Sequence, residues 1–381
     1  MKSKLALHLI NSLLILIAFV FAFAIAELCL NVYIHFNPKF KEKLKPFLYN
    51  RQIPHPYCGY QSPIDYRGAK KQEQGEFIIV VTGGSTAVGL GSSSAEKAIC
   101  PQLEKFLNQN NTIRGISRFK VVNAADYSYH TTQEKNVFMH FLHLQSNVDI
   151  FIFIDAFNNL ARPLENYAFG LPLNYPGWPW IARNVVAGRS MTKYHLGKFF
   201  EEIRNKKLFK NSKILFLSLN TLTTFFLKDY YGAWHHKLGE KMVAIDVFEK
   251  KDLIDEIVEI YREDVLEISG IARQKEIKTL FVLQPLLGLG KDYLTSEESK
   301  IIEEKKMGDY SIAPQCIWAY GHWKLQDIGQ DLKRQGVDFI DFTDIYKKNR
   351  ERTFFDLMHL NDLGQEIFAK KLADEILKRL R

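Results

Sequence analysis

At 381 residues, 46% of them hydrophobic and 25% charged, the chain can bury a large core, as one sizeable domain with insertions or as two domains. Its net charge of +8 comes with neither an RNA-binding signature nor zinc-finger spacing, so no nucleic-acid partner is expected. Basic residues cluster beside the N-terminal apolar segment (Lys39, Lys41, Lys43, Lys45), where an anionic membrane surface accounts for them, and near the C-terminus (Lys347 to Arg352, Lys370 to Arg381), where a solvated helix face does.

Residues Leu5 to Ala26 carry no charged side chain apart from a possible charge on His8, and the run is about long enough to cross a hydrocarbon core as a helix. It exceeds the usual apolar region of a signal peptide, although Ala22-Phe23-Ala24 and Ala24-Ile25-Ala26 resemble cleavage sites. The reading is an uncleaved transmembrane signal anchor over residues 1–35, with basic residues at both ends leaving its orientation open. Residues 36–76, with Pro38, Pro46, Pro54, Pro56 and Pro63, read as a connector whose His55 to Tyr60 segment packs on the fold that follows. Cys29, Cys58, Cys100 and Cys316 form no C-x-x-C motif. Cys29 edges the apolar segment, and the other three allow at most one bridge, Cys58 with Cys316 being conceivable.

Residues 77–381 alternate strand-like and helical stretches. Strands are predicted at Phe77–Thr82, Phe119–Asn123, Asp149–Asp155, Ile214–Leu219, Thr279–Leu283 and Asp338–Phe342. Helices are predicted at 94–108, 131–145, 248–275, 297–307, 322–335 and 361–380, the last capped by Asn361. This rhythm predicts a three-layer α/β/α sandwich around a mainly parallel central sheet. Two insertions break it. One covers about 163–213 and is rich in Pro, Gly and aromatics, including Tyr175 to Trp180. The other covers roughly 286–320.

The first strand runs directly into Gly83-Gly84-Ser85-Thr86, which sets a small hydroxyl residue at the carboxyl end of a buried strand, where open α/β sheets bind ligands. Gly84 and Gly89 have phosphate-loop spacing, but Leu90 and Gly91 stand where Lys and Ser/Thr are needed. From this stretch alone, a nucleophile and a plain helix cap are equally good readings of Ser85. Near the C-terminus, Asp356 and His359 have the D-x-x-H spacing of a carboxylate that orients an imidazole. Of the other histidines, His130 falls near this pocket. His140 and His143 lie one turn apart without a third ligand, and His235-His236 matches no metal motif, so no metal is expected.

Taken in order, these stretches resemble the four blocks of the SGNH/GDSL hydrolase superfamily. The first looks like Gly83-Gly84-Ser85-Thr86, the second like Val121 to Ser128, the third like Ala156-Phe157-Asn158-Asn159, and the last like Asp356 with His359. Leu283-Gln284-Pro285 and Asp341 to Asp344 are similar to segments of its membrane-anchored bacterial members. The resemblance implies an SGNH hydrolase/flavodoxin-like fold and acyl transfer through Ser85, with His359 as base and Asp356 as its support. It implies an oxyanion hole from the backbone N–H of Ser85, the backbone N–H of Ser128 and the side-chain amide of Asn158. Ser128 and Ala156 replace glycines usual in the family, and Asn159 replaces an aspartate. The expected activity is hydrolysis of an O-acyl ester, O-acetyl included, of a carbohydrate or lipid, outside the cytoplasm and without a cofactor. The alternatives are O-acyl transfer to a surface polysaccharide and a non-catalytic binding or assembly role. Partners follow as a small-molecule or glycan ester and the membrane through the N-terminal helix.

Overall fold

The strand-length apolar run after Glu76 forms β1 (Glu76–Gly83), buried from Ile78 onward. The structure is a computed structural model and describes residues 21–33, 36, 53–55, 58–61, 74–144, 148–168, 170–176, 196–197, 199–200, 203–204, 206, 212–231, 251–307 and 314–381. β1 pairs in parallel with β2 (Arg118–Asn123) on one side and β3 (Ile150–Asp155) on the other. β4 (Lys278–Leu283) and β5 (Phe339–Asp341) extend the parallel sheet, giving the five-stranded order β2-β1-β3-β4-β5.

The pleat divides the buried strand residues between two layers, because successive side chains point to opposite faces. Ile78, Val80, Phe151, Phe153 and Phe281 face a layer built from α3 (Thr131–Leu144), α4 (Phe157–Ala168), α6 (Lys251–Gln274) and α8 (Pro314–Arg334). Within it the Phe153 and Phe281 rings stack at 4.6 Å, and Phe138 meets Phe151 edge-on at 5.1 Å. Ile79, Val81, Ile152, Ile154 and Val282 face the other layer, made by α2 (Ile99–Gln109) and α9 (Asp362–Leu380). The α/β/α expectation therefore holds within this part of the chain.

Residues Ile214–Leu219, expected as a strand, belong instead to helix α5 (Lys213–Tyr231). A short apolar run cannot be told from a buried helix by periodicity. What decides it is capping. Ser212 Oγ accepts from the amide of Leu215 at 3.2 Å, and the Glu27 carboxylate accepts from the Lys213 amide, from the Ile214 amide at 2.9 Å and from Ser212 Oγ at 3.0 Å. These bonds satisfy donors that a helix leaves open in its first turn. Glu27 lies in the helical segment 21–33, and both belong to a compact unit made of Met1–Arg51 and Trp180–Trp234. The remainder, Gln52–Pro179 with His235–Arg381, forms the second unit, which contains the sheet.

Among the described residues no helix is long and apolar enough to cross a membrane. Most of the run Leu5–Ala26 lies outside the described residues, as do most of the connector, most of the 163–213 insertion, His235-His236 and the side chains of His143 and Cys316. In the connector, Ile53–His55 and Gly59–Gln61 pair as an antiparallel ribbon. Cys58 at its turn is a buried thiol in the core, pushed up to about 11 chiefly by burial; it is not bridged to Cys316. Helix α8 starts at Pro314, eight residues' worth of chain sooner than the 322 expected, because Pro is well suited to a first helical turn.

Candidate active site

Ser85 opens the four-residue helix α1 (Ser85–Val88) directly after β1. The turn that presents it depends on missing side chains. Gly83 has φ of +150°, and a Cβ there would sit 2.7 Å from the carbonyl oxygen of Ile154. A Cβ on Gly84 would lie 2.0 Å from Asn158 Nδ2 and 3.3 Å from the Tyr129 carbonyl oxygen. The first block thus touches the third directly and the second through Tyr129. All three follow neighbouring strands, β1, β3 and β2, at the carboxyl edge of the sheet.

The fourth block arrives from the far end of the chain. Ser85 Oγ lies 2.6 Å from His359 Nε2, and His359 Nδ1 lies 2.7 Å from Asp356 Oδ2. The other carboxylate oxygen, Asp356 Oδ1, accepts from the amides of Met358 at 3.0 Å and His359 at 2.9 Å. Burial pushes the Asp356 carboxyl upward, but the His359 ring and these two amides outweigh it and hold the group below the ordinary carboxylate value. A charged carboxylate on Nδ1 favours the tautomer whose Nε2 is free to accept a proton from Ser85 Oγ. His359 itself is buried, at 8% exposure, which keeps bulk water from competing for that bond.

The residues expected to form an oxyanion hole are placed less uniformly. Asn158, in the first turn of α4, has its amide against Gly84. Ser128 has φ of +61°, one of two non-glycine residues in the left-handed region among those described. Its replacement of a glycine is therefore tolerated with strain rather than by a changed backbone. Ala156 is buried and does not share that conformation, so nothing there requires glycine. Asn159 is buried and has partners of its own. It accepts from the amide and hydroxyl of Thr131 at 2.7 and 2.6 Å and donates to Asp155 at 2.8 Å, tying the start of α3 and the end of β3 to the third block. Burial pushes Asp155 up to about 6, against hydrogen bonds from Asn159 and Tyr261.

His130 is engaged elsewhere than with Ser85, His359 or Asp356 in the described hydrogen bonds. It is buried, its Nδ1 lies 2.8 Å from Gln133 Oε1, and burial with the nearby Arg162 charge pushes it down to about 3. Sequence reasoning missed the contacts that clamp the fourth block onto the first. Thr86 Oγ1 donates to the Met358 carbonyl at 3.1 Å. Gln365, fully buried on α9, accepts from the Ile99 amide at 3.0 Å and donates to the carbonyls of Gly89 at 3.2 Å and Leu360 at 3.1 Å. The available signal was a glutamine on the inner face of an amphipathic helix, a polar residue that needs partners once buried.

No family model and no curated protein matches the chain. Among solved structures it is similar to an acetyl xylan esterase, at 11% identity and a TM-score of 0.38, covering 79% of this chain and 100% of that one. It is also similar to the lipase/acylhydrolase from Enterococcus faecalis (14% identity, TM-score 0.38, 80% of this chain and 97% of that one). A third is a GDSL-like lipase from Bacteroides thetaiotaomicron (9% identity, TM-score 0.36, 80% of this chain and 89% of that one). Likenesses this distant carry no weight beside the hydrogen-bonded side chains themselves.

Proposed function

We propose that this chain is a serine esterase of the SGNH/GDSL type that cleaves an O-acyl ester through an acyl-Ser85 intermediate. One observation carries the reading: the unbroken sequence of contacts Ser85 Oγ, His359 Nε2, His359 Nδ1, Asp356 Oδ2, with separations of 2.6 and 2.7 Å across its two hydrogen bonds. As Ser85 Oγ attacks the ester carbonyl, its proton passes to His359 Nε2, and Asp356 stabilises the imidazolium that results. The tetrahedral oxyanion falls to the Ser85 and Ser128 amides and the Asn158 side chain. His359 then returns the proton to the leaving alkoxide, and water activated by the same imidazole releases the acid. We place this domain outside the cytoplasm on an anchor formed by the apolar run Leu5–Ala26. Resistance of the membrane-associated protein to alkaline extraction tests the anchor, and digestion of the domain by protease added to intact spheroplasts tests its side.

The test of the chemistry is intact-mass analysis after exposure to a fluorophosphonate. Wild type is expected to gain one adduct, Ser85→Ala none, and His359→Ala to label about 10² to 10⁴ times more slowly, the usual span for a lost general base. A folded wild type that gains no adduct would overturn the proposal.

A further inference from the structure

We infer that the buried Glu298 side chain, seated by Lys291, positions the loop that carries Asp356 and His359 by accepting the backbone amides at its entrance. The inference rests on the esterase reading above. Lys291 Nζ is 2.8 Å from each Glu298 carboxylate oxygen, 2.8 Å from the Glu351 carbonyl and 3.1 Å from Thr353 Oγ1. Glu298 lies on α7 (Ser296–Met307), and the two side chains are 1% and 0% exposed. Glu298 Oε1 also accepts from the amides of Thr353 at 3.0 Å and Phe354 at 3.2 Å, and Oε2 from the Thr295 amide at 3.1 Å.

These contacts fall at the entrance to the catalytic loop. Thr353 and Phe354 lead into it, Phe354 forms an isolated bridge with Leu360, and the Thr353 carbonyl accepts from the Asn361 amide at 3.0 Å. Asp356 and His359 therefore hang between two fixed points. The same insertion reaches the loop once more, where the Leu287 amide donates to the Leu357 carbonyl at 2.9 Å.

Burying two charges is expensive, and an apolar pair of similar volume often supports a fold as well or better. An apolar pair cannot accept the amides of Thr353 and Phe354. What the carboxylate adds is a fixed backbone entering the loop, and Lys291 keeps that carboxylate charged and oriented. A displacement of about 1 Å at a catalytic group can cost roughly 100-fold in rate.

The test compares Glu298→Leu, which removes the acceptors, with the double variant Lys291→Met/Glu298→Gln, which removes both charges but keeps the Gln carbonyl for Thr353 and Phe354. In the full chain, Glu298→Leu is expected to label with fluorophosphonate roughly 10- to 100-fold more slowly than wild type. Its far-downfield proton resonance from the His359–Asp356 hydrogen bond should broaden or vanish. The double variant should label near the wild-type rate and keep that resonance even where its melting temperature is lower. Should Glu298→Leu fail to fold, the double variant still decides: slow labelling with the resonance lost overturns the inference. A folded Glu298→Leu that labels like wild type overturns it too. A wild type that never labels overturns the esterase reading instead.

Discussion

The Ser85 turn and the Asp356–His359 loop meet through two hydrogen bonds, Ser85 with His359 and Thr86 with Met358, yet they are held in place by opposite means. Gly83 to Gly89 contains no titrating side chain, and its shape depends on absent atoms, since a Cβ on Gly83 or Gly84 would collide with Ile154 or Asn158. Thr353 to Asn361 depends on gathered partners: Glu298 at its entrance, paired amides on Asp356, and Gln365 beneath Leu360. The first should fail when atoms are added, and the second when hydrogen-bond partners are removed.

The largest test of this contrast is at the contact between the first and third blocks. Asn158→Ala is expected to slow labelling and turnover about 10²- to 10³-fold, the cost of one oxyanion donor. Gly84→Ala adds a single methyl 2.0 Å from the Asn158 amide, whose flexible end can swing aside. It should reproduce a part of the same loss without the amide being deleted, and combining both changes should add little to Asn158→Ala alone. Full additivity in that double-mutant cycle would break the contact.

Acid provides the second test, because only the loop titrates. Asp356 and Glu298 are both held below ordinary carboxylate values, in each case because hydrogen bonds and an opposite charge outweigh the effect of burial. A depressed value in the folded state means the unfolded chain binds more protons. Their contribution is therefore complete above the ordinary range, near pH 4, and is lost as pH falls through their folded values. The wild-type denaturation midpoint should decline below about pH 5, with a shallower slope in Glu298→Gln. Equal slopes would remove Glu298 from this account.

The smallest effect sharpens the picture of the second block. Ser128 occupies the left-handed region at φ of +61°, a conformation costing a side-chain-bearing residue about 1 kcal/mol. Ser128→Gly should raise stability by up to that amount in chemical denaturation and leave labelling intact. A loss of stability would show that the serine hydroxyl, not the backbone, governs this position.

Much of the sheet was legible because β1, β3 and β4 are buried on both faces, so each appears as an uninterrupted apolar run. The same rule misread Ile214–Leu219, whose helix depends on Glu27, 187 residues from Ile214 along the chain. The site divided along similar lines. Ser85, Asn158 and the Asp356–His359 pair sit beside local signals: a glycine turn, a strand end, a helix cap. Lys291, Glu298 and Gln365 carry no such signal, since each looks like an ordinary polar residue until folding places it out of water.

One consequence follows from the 274 residues separating Ser85 from His359. The serine is among the earlier parts of the domain to be synthesised, and the base that activates it is among the last. On the esterase reading, a nascent chain carries only an ordinary alcohol at its first turn until α9 closes behind Leu360. Reactivity arrives with completion, so an unfinished copy is chemically silent.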